Sequence, residues 1–531
     1  MQGKRFTQGA VLAALLAGVL AASGCGDNSG QATERIYVRS MNGDAMAIAG
    51  LNAQVSGGLN TKTFSAQILE PLIFISGDSK LSPGLAESWE LSDDGLELTL
   101  KLRQGVNWHD GKPFTAEDVK FNYDEIIPLQ VYGAQLFERI ASVDIKDEHT
   151  VVIRLSKAFG PLLETIATQF IIPKHLYEGT DYITNPANKE KIVGTGPMMF
   201  SSYTPGQEIV LVKNPNYWGG EVQVDKGVFT QIPDPNSRAE ALFSGQIDEA
   251  ILDPSKAARV AETENLEILI KGFFPEAQVV SFNAQSEYLK DPKVRAAVFA
   301  AMDRHELVKT ALSGVGTAAN GFFPENLDWA VNPDIDFDRD FPRDLDAINR
   351  TLDEAGFPRG ADGLRFTLRL EYLTSSPDTA MMVELIASQL EEVGIGSRLS
   401  GDASAVYTEK TYRKSDFDLV FVRTSLGGEP SIGITRWYAC NERRLDSANP
   451  SGICDPEIDA AVEAALVAPG QAQRGEAYKA LQKRARDVMI HAPLVWSITG
   501  NPVVNTTRWR GLDNPDPLVD RKPWLTMQQV K

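Results

Sequence analysis

Hydrophobic residues recur along this chain with two different periods, and each period predicts a different element. Two segments place a hydrophobic residue at every second position, which is typical of half-buried strands. Their residues are Leu96, Leu98, Leu100 and Leu102, and Val151, Ile153 and Leu155. Helical spacing follows Asp291 and recurs between Met382 and Leu390. Short strands and helices alternate in this way along the whole chain, so the pattern predicts a large mixed α/β protein.

Three predicted helices carry start or stop signals. Asp291-Pro292 and Asp455-Pro456 each pair a capping aspartate with a proline that suits the first helical turn. The third helix is followed by Gly394, a stop signal. The hydrophobic faces are Val294, Ala297, Val298, Ala301 and Met302 in the first helix, and Met382, Leu385, Ile386 and Leu390 in the third.

The N-terminal segment has the layout of an export signal. Lys4 and Arg5 form a basic region, residues 10–22 form an apolar run too short to span a bilayer, and small residues lead to Cys25. This ending resembles the lipobox of bacterial lipoproteins, in which the cysteine is acylated on sulfur and becomes the first mature residue. The alternative is an ordinary signal cleaved near Gly24. Residues 1–25 are therefore predicted to be a lipoprotein signal peptide.

A polar tether, residues 26–33, follows the signal and suits a flexible spacer. One acyl chain binds a membrane only marginally, so stable anchoring takes the several chains that such lipoproteins carry. We expect a soluble body held at the membrane, in the periplasm or on the outer face of the cytoplasmic membrane.

Composition and charge exclude some functions. Hydrophobic residues at 43% and charged residues at 23% are ordinary globular values. The net charge of -19 argues against nucleic acid as a partner, because phosphate binding needs a concentrated basic surface. We expect a monomer that binds no nucleic acid.

The chain has no recognisable catalytic machinery. It lacks a phosphate-binding GxxxxGK[ST] loop, a GxSxG elbow and an HExxH metal motif. His109-Asp110 resembles a base with its orienting acid, but Asp110-Gly111 is also a turn signal, and Thr115 to Asp118 reads as a helix capping box. The five histidines have no metal-site spacing: they are His109, His149, His175, His305 and His491. We expect no enzymatic activity, no cofactor and no metal.

Longer motifs follow one another in a fixed order, with the strongest block between Leu85 and Val119. The segments are Leu85–Trp89, Asp94-Gly95, Leu102–Val106, Trp108–Val119, Gly194–Pro197, Asn214–Trp218, Ala239–Asp248, Val294–Ala297 and Met302–Arg304. In this order they resemble family 5 of the extracellular solute-binding proteins, the dipeptide, oligopeptide and nickel receptors of bacterial ABC importers. The resemblance runs from about Arg35 to the C-terminus.

The resemblance implies an α/β fold of the periplasmic-binding-protein type. Two discontinuous lobes are joined by a pair of crossover strands, an extra subdomain is inserted into the first lobe, and the ligand is enclosed in a hinged cleft. By this comparison lobe I spans 31–282 and 500–531, the insert spans about 66–186, and lobe II spans 283–499.

The implied ligand site lies where lobe II faces the cleft, and here the chain departs from the peptide-binding pattern. Peptide receptors of the family carry an Asp shortly before an acidic-Pro step, and it pairs with the ligand ammonium. Glu429-Pro430 resembles that step, but the ammonium-binding position falls at Gly427 or Gly428. A buried ammonium without a counter-charge is costly. Simple peptide binding is therefore in doubt, unless Glu429 substitutes for the missing acid.

Other residues near this step are candidates for ligand contact. Arg423 and Arg436 can hold a carboxylate or phosphate through a planar fork, or they can be solvated surface residues. Trp437 and Tyr438 can stack on a ligand or pack beside a disulfide. The predicted ligand-binding set is Arg423, Thr424, Gly427, Gly428, Glu429, Arg436 and Trp437.

If Cys25 is lipidated, Cys440 and Cys454 remain as an even pair in an exported, oxidising context, which favours a disulfide. The alternatives are two free buried thiols or, less favoured, metal ligation. The pair also matches the cysteines of the dipeptide receptors.

The resemblance implies a membrane-tethered receptor that closes around a peptide-like or other polar organic solute and delivers it to ABC permease subunits and their ATPases. A sensory receptor or a secreted enzyme on the same scaffold is the alternative.

Overall fold

The computed structural model describes most of the chain after the predicted tether. The described residues are 34–41, 52, 64–75, 80–129, 133–188, 190–269, 276–374, 376–425, 429–497, 502–512 and 523–530. Those from Ile36 onward belong to one compact unit, Ile36–Lys531. Cys25, the tether 26–33, Gly427 and Gly428 lie outside the described residues. Within the described part, no helix combines the length and apolarity needed to cross a membrane.

The first lobe is built on a seven-stranded sheet. Its strands, in spatial order, are Met198–Thr204, Glu208–Lys213, Lys226–Gln231, Ile36–Met41, Glu249–Ile251, Pro502–Asn505 and Leu266–Ile268. Ile36–Met41 pairs in parallel with Lys226–Gln231, with Val38 opposite Val228. The sheet is covered on one side by a cluster that includes Ala239, Leu242 and Val503. The C-terminal strand at residues 502–505 returns to this lobe, so its sheet is assembled from distant parts of the chain.

The second lobe is built on a six-stranded sheet. Its strands, in spatial order, are Thr317–Ala318, His491–Ser497, Glu276–Phe282, Leu419–Ser425, Phe366–Leu373 and Ile395–Asp402. Phe366–Leu373 runs parallel to both of its neighbours, whereas Glu276–Phe282 is antiparallel to both of its own. From Ala277 to Phe282 the central strand is buried at every position, as expected for a strand covered on both faces.

A four-stranded antiparallel sheet lies within the predicted insert of about 66–186. From here on, the word insert refers to residues 86–166, which contain this sheet. Its strands, in spatial order, are Ala86–Leu91, Glu97–Leu102, Thr150–Leu155 and Ile140–Asp147. The predicted alternation is confirmed in Glu97–Leu102, because Leu98, Leu100 and Leu102 are buried while Thr99 and Lys101 between them are more exposed. In Thr150–Leu155 it holds only at Arg154, because Val152 is buried together with Val151 and Ile153. Leu96 lies just before its strand and is half-buried. Buried side chains of the insert and of the second lobe belong to one continuous hydrophobic cluster.

The three predicted helices are confirmed as Pro292–Ala301, Pro377–Glu392 and Pro456–Val467. Asp291 accepts a hydrogen bond from Lys293 N at 2.8 Å, and Asp455 caps Pro456–Val467 in the same way. Gly394 has a φ of +79° just beyond Pro377–Glu392. The other α-helices are Ala116–Phe121, Gly133–Phe137, Leu162–Ile166, Lys174–Tyr177, Pro235–Phe243, Ala257–Glu262, Arg304–Glu306, Phe337–Asp340, Leu345–Glu354, Ser404–Thr408, Pro430–Gly433 and Gln471–Val488.

Shorter elements complete the described part of the chain. Three two-stranded pairings join Glu70–Pro71 to Phe170–Ile171, Ile73–Ile75 to Leu81–Pro83, and Trp509–Arg510 to Gln528–Gln529. Single π-helical turns are Asn122–Ile126, Leu307–Ala311 and Glu409–Lys414. Short 3-10 turns are Ile127–Leu129, Pro186–Asn188, Pro254–Lys256, Glu325–Leu327, Thr435–Trp437 and Pro523–Leu525.

Two motif segments have structural explanations. Thr115 N donates to the Asp118 carboxylate at 3.0 Å, so the predicted capping box explains these residues without catalysis. Gly194 packs against the backbone of Ile68, where a Cβ atom would lie 1.9 Å from the Ile68 carbonyl oxygen. Close backbone approach explains this glycine, because no side chain fits there.

Candidate functional site

The chain path brings the carboxyl edges of the two large sheets together. Leu266–Ile268 leaves the first sheet at its carboxyl edge and leads to Glu276, which begins a strand antiparallel to Leu419–Ser425. Glu276 therefore enters the second sheet at the edge where its parallel strands end. The return connection from Ser497 to Pro502 joins the same two edges. Ligands of open α/β sheets bind outside the carboxyl ends of the strands, so this junction is the candidate cleft.

Arg423 lies at this carboxyl edge of the second lobe. Its Nε donates to Glu276 Oε2 at 2.6 Å, and its Nη1 lies 3.8 Å from Asp378 Oδ2. Burial by itself lowers the pKa of Arg423, but the two carboxylates outweigh burial and raise it. Asp378 also accepts from Gln278 Nε2 at 3.1 Å. The edge therefore presents one guanidinium between two carboxylates, which can offer both donors and acceptors to a polar solute.

Thr424 and Arg436 contact each other behind this edge. Arg436 Nη2 donates to Thr424 Oγ1 at 3.3 Å, and its guanidinium packs 5.4 Å from the centre of the Trp437 ring. Trp437 is 1% exposed and stacks on His491 at a centroid distance of 5.3 Å. Burial first, and then the Arg436 charge, lowers the pKa of His491 to about 3. These aromatic side chains pack into the interior of the second lobe.

Glu429 is buried at 1% exposure at the start of the short helix Pro430–Gly433. Its carboxylate accepts a hydrogen bond from the Tyr478 hydroxyl and lies 3.5 Å from Arg474 Nη2. Burial raises the pKa of Glu429 to about 7, Arg474 opposes that rise, and Glu164 adds to it. Tyr478, Arg474 and Glu164 all belong to the protein, so the carboxylate of Glu429 makes its contacts within the protein.

A second charged group near the cleft was not predicted from the sequence. Lys410 Nζ donates to Glu371 Oε2 at 2.8 Å and to Ser400 Oγ at 2.6 Å, and it also pairs with Asp402. Burial, as the largest cause, raises the pKa of Glu371 to about 7. Glu371 and Asp402 lie near the carboxyl ends of neighbouring parallel strands. Only the pairing of those strands brings the three side chains together.

Cys440 and Cys454 lie side by side with their sulfur atoms at bonding distance and their Cα atoms 4.4 Å apart. With Glu442 they form the one group of three potential metal ligands found among the described residues. The histidines pair separately: His175 with Asp110, His305 with Asp338, and His491 with Ser281. His109 is bonded to the Gly196 carbonyl oxygen.

Comparison of the sequence with known proteins shows which family this chain resembles. The sequence profile of the bacterial extracellular solute-binding proteins, family 5 Middle, matches residues 80–443. The chain is 28% identical to the heme-binding protein A of Haemophilus influenzae, over 84% of this chain and 83% of that one. It is 26% identical to the dipeptide-binding protein of Escherichia coli, over 82% and 84%.

The fold comparison gives the same result. The solved structure of the ABC transporter substrate-binding protein CtaP of Listeria monocytogenes superposes with a TM-score of 0.81 at 24% identity, covering 94% of this chain and all of that one. This likeness establishes the two-lobed fold alone. Together with the profile match over more than half of the sequence, it means that this chain belongs to family 5 of the bacterial extracellular solute-binding proteins.

Proposed function

We propose that this protein is the solute-capturing component of an ABC importer, which encloses a polar organic solute between its lobes and delivers it to the permease subunits. The observation that carries the proposal is the junction of two carboxyl sheet edges by two separate chain connections. A ligand that contacts both lobes only when they are closed shifts a hinge equilibrium towards the closed form. Capture then needs no catalytic group.

We propose that the ligand contacts lie around Arg423 and Thr424, within the predicted set that also includes Gly427 and Gly428. Arg423 is supported by its position at the cleft edge and by its partly exposed side chain. Glu429 and Trp437 are each 1% exposed, which favours a supporting role for them behind the contact surface. Arg436 shares that supporting role through its bond to Thr424.

The ligand class follows from the charges at the edge. Arg423 can donate hydrogen bonds to a carboxylate or phosphate, while Glu276 and Asp378 can accept from uncharged donors of the same molecule. We expect solutes that combine an anionic group with uncharged hydrogen-bond donors to bind better than unmodified dipeptides and tripeptides, because the position that pairs with a peptide ammonium in the family falls at Gly427 or Gly428.

A thermal-shift screen of dipeptides, amino-acid conjugates and small organic acids at millimolar concentration tests this site. A ligand present at one hundred times its Kd stabilises the fold by about 2.7 kcal/mol, a readily measured rise in Tm. Arg423→Gln should weaken the best anionic hit in calorimetry, because it removes the cation that holds the anionic group. The exposed Arg398, on Ile395–Asp402 at the edge of the same sheet, two strands from Leu419–Ser425, provides the control Arg398→Gln. Undiminished binding to Arg423→Gln would refute the assignment.

We propose further that the mature protein is anchored in the cell envelope by lipid on Cys25 and that Cys440 and Cys454 are bridged. The thiol is the site of acylation, so Cys25→Ser should leave the protein unprocessed or free of membranes, as measured by fractionation and blotting. Detergent-dependent membrane association that survives the substitution would contradict the anchor.

In the same preparation, denatured but unreduced protein should show no maleimide-reactive thiol at Cys440 or Cys454.

A further inference from the structure

The insert touches the second lobe through residues 157–164, far along the chain from the helices that it meets. Gly160 N donates to the Leu466 carbonyl oxygen at 2.6 Å, and Arg474 Nη1 donates to the Gly160 carbonyl oxygen at 2.9 Å. A Cβ atom on Gly160 would lie 2.3 Å from the Ala468 carbonyl oxygen. The two backbones therefore fit so closely that only glycine is accommodated at this position.

Ion pairs surround this point of contact. Glu463 of the second lobe pairs with Lys157 and, at 3.4 Å, with Arg139, both on the insert. Arg474 Nη2 lies 2.9 Å from Glu164 Oε1 on the insert and 3.5 Å from Glu429 Oε2 on its own lobe. Arg474 is 5% exposed and is the central group of this network.

The charges that face Glu429 come from two elements. Helix Gln471–Val488 supplies Arg474 and the Tyr478 hydroxyl, and the insert helix Leu162–Ile166 supplies Glu164. When both carboxylates are ionised, a single guanidinium has to balance two negative charges, one buried on Glu429 and one partly buried on Glu164. Removing one of these charges leaves Arg474 and Glu164 as a matched pair across the interface.

We propose that Arg474 is an inter-lobe clasp controlled by the proton on Glu429, so that acidification tightens the contact between insert and second lobe and alkalinity loosens it. This inference rests on the proposed function, since it adds regulation to lobe closure around the solute. It assigns Glu429 to the control of closure rather than to ligand contact.

The direction follows from proton linkage. Burial raises the pKa of Glu429 to about 7 in the closed contact, whereas a solvated glutamate titrates near pH 4.3. The closed form therefore holds the proton more tightly than the open form does. Its advantage is complete below the solvated pKa and is lost as the pH rises through 7. Opening removes Glu164 and some of the burial, while Arg474 and Tyr478 stay on the same lobe as Glu429, so the opening equilibrium should rise by at most about tenfold between pH 6 and pH 8.

Hydrogen exchange of the full chain without ligand measures this opening. The Gly160 amide bonds across the interface, whereas the nearby Leu155 amide bonds to the Leu96 carbonyl oxygen within the insert. Dividing the exchange rate of Gly160 by that of Leu155 removes the pH dependence of intrinsic exchange. We expect this ratio to rise severalfold, and by at most about tenfold, from pH 6 to pH 8, as measured by mass spectrometry with fragmentation to single residues.

Two substitutions test the assignment. Glu429→Gln should hold the ratio near its pH 6 value throughout, and Gly160→Ala, followed through the neighbouring amides, should expose the contact at every pH. Gly321→Ala is the matched control, because nothing lies closer than 3.9 Å to its added Cβ. A wild-type pH response in Glu429→Gln would overturn the proposal, as would a wild-type ratio that does not change with pH. Because no ligand is present, neither result depends on whether solute binding itself has been demonstrated.

Discussion

Glu429 and Glu371 are two buried glutamates of the second lobe, and for both of them burial is the largest cause of a pKa raised to about 7. They differ in where their partners come from. Glu371 is bonded to Lys410, which is 39 residues away and lies in the same lobe. Glu429 is linked through Arg474 to Glu164, which lies 310 residues from Arg474 in the insert.

This difference separates two consequences of the same titration. A proton on Glu371 changes the charge balance within one lobe, so it affects only the stability of that lobe. A proton on Glu429 changes the balance of a contact that exists only while the insert and the second lobe touch. The raised pKa is the same for both glutamates, so it does not distinguish the two roles. The roles are distinguished by the part of the molecule that supplies each glutamate's partner residues.

Removal of the central cation should have the largest effect. Arg474→Met leaves the buried carboxylate of Glu429 and the partly buried carboxylate of Glu164 without a counter-charge, and we expect a loss of about 3–5 kcal/mol in the free energy of unfolding. Lys410→Met also removes the cation beside a buried carboxylate, Glu371, but it should cost less, about 1–2 kcal/mol, because Lys410 and Asp402 are each 25% exposed and water can screen the remaining charge at that site. Urea denaturation at pH 7.5 measures both values.

A charge-neutralised background controls this comparison. In the double variant Glu429→Gln with Glu164→Gln no carboxylate is left unpaired, so adding Arg474→Met should cost much less than it does in the wild type. An equal cost in both backgrounds would mean that Arg474 acts through packing against Trp329, whose ring centre lies 5.6 Å from the guanidinium, and not through charge.

The pH dependence of global stability should be smaller. Both glutamates have a folded pKa above the unfolded value, so their stabilisation is full below about pH 4.5 and is lost as the pH rises through 7. For Glu429 alone the free energy of unfolding should fall by about 2 kcal/mol between pH 5 and pH 8. Urea titrations of wild type and Glu429→Gln at several pH values measure the contribution of Glu429. If the free energy of unfolding fell equally with pH in both proteins, the prediction would be contradicted.

The sequence predicts elements whose cause is local. Asp291 caps a helix through an amide two residues away, and Thr115 contacts Asp118 within one turn, so both could be read from spacing. The alternation at Leu98 and Leu100 likewise depends only on the period of a strand. The family motifs gave the two-lobed architecture, which the fold comparison confirms.

The candidate site could be predicted only in part. Arg423 is predicted from its place beside the Glu429-Pro430 step, and it lies at the edge of the candidate cleft, but its partners Glu276 and Asp378 are 147 and 45 residues away and carry no local signal. For Glu429 the sequence offers only a substitute for the missing ligand acid, because its burial and its contact with Tyr478 depend on tertiary packing and leave no local pattern. Arg474 and Glu164 were not identified at all, since an ion pair between distant residues leaves no pattern in either segment.

The smallest expected effect is also the most discriminating. Glu371→Gln removes a titrating carboxyl of nearly the same pKa as Glu429, so it should flatten part of the global pH dependence of stability. It should leave the exchange of the Gly160 amide, relative to Leu155, within about twofold of the wild type at pH 6 and pH 8, because its partners lie within the second lobe. If Glu371→Gln changed the Gly160 exchange as much as Glu429→Gln does, the interface would be responding to the stability of the whole lobe, and the distinction between the two glutamates would be wrong.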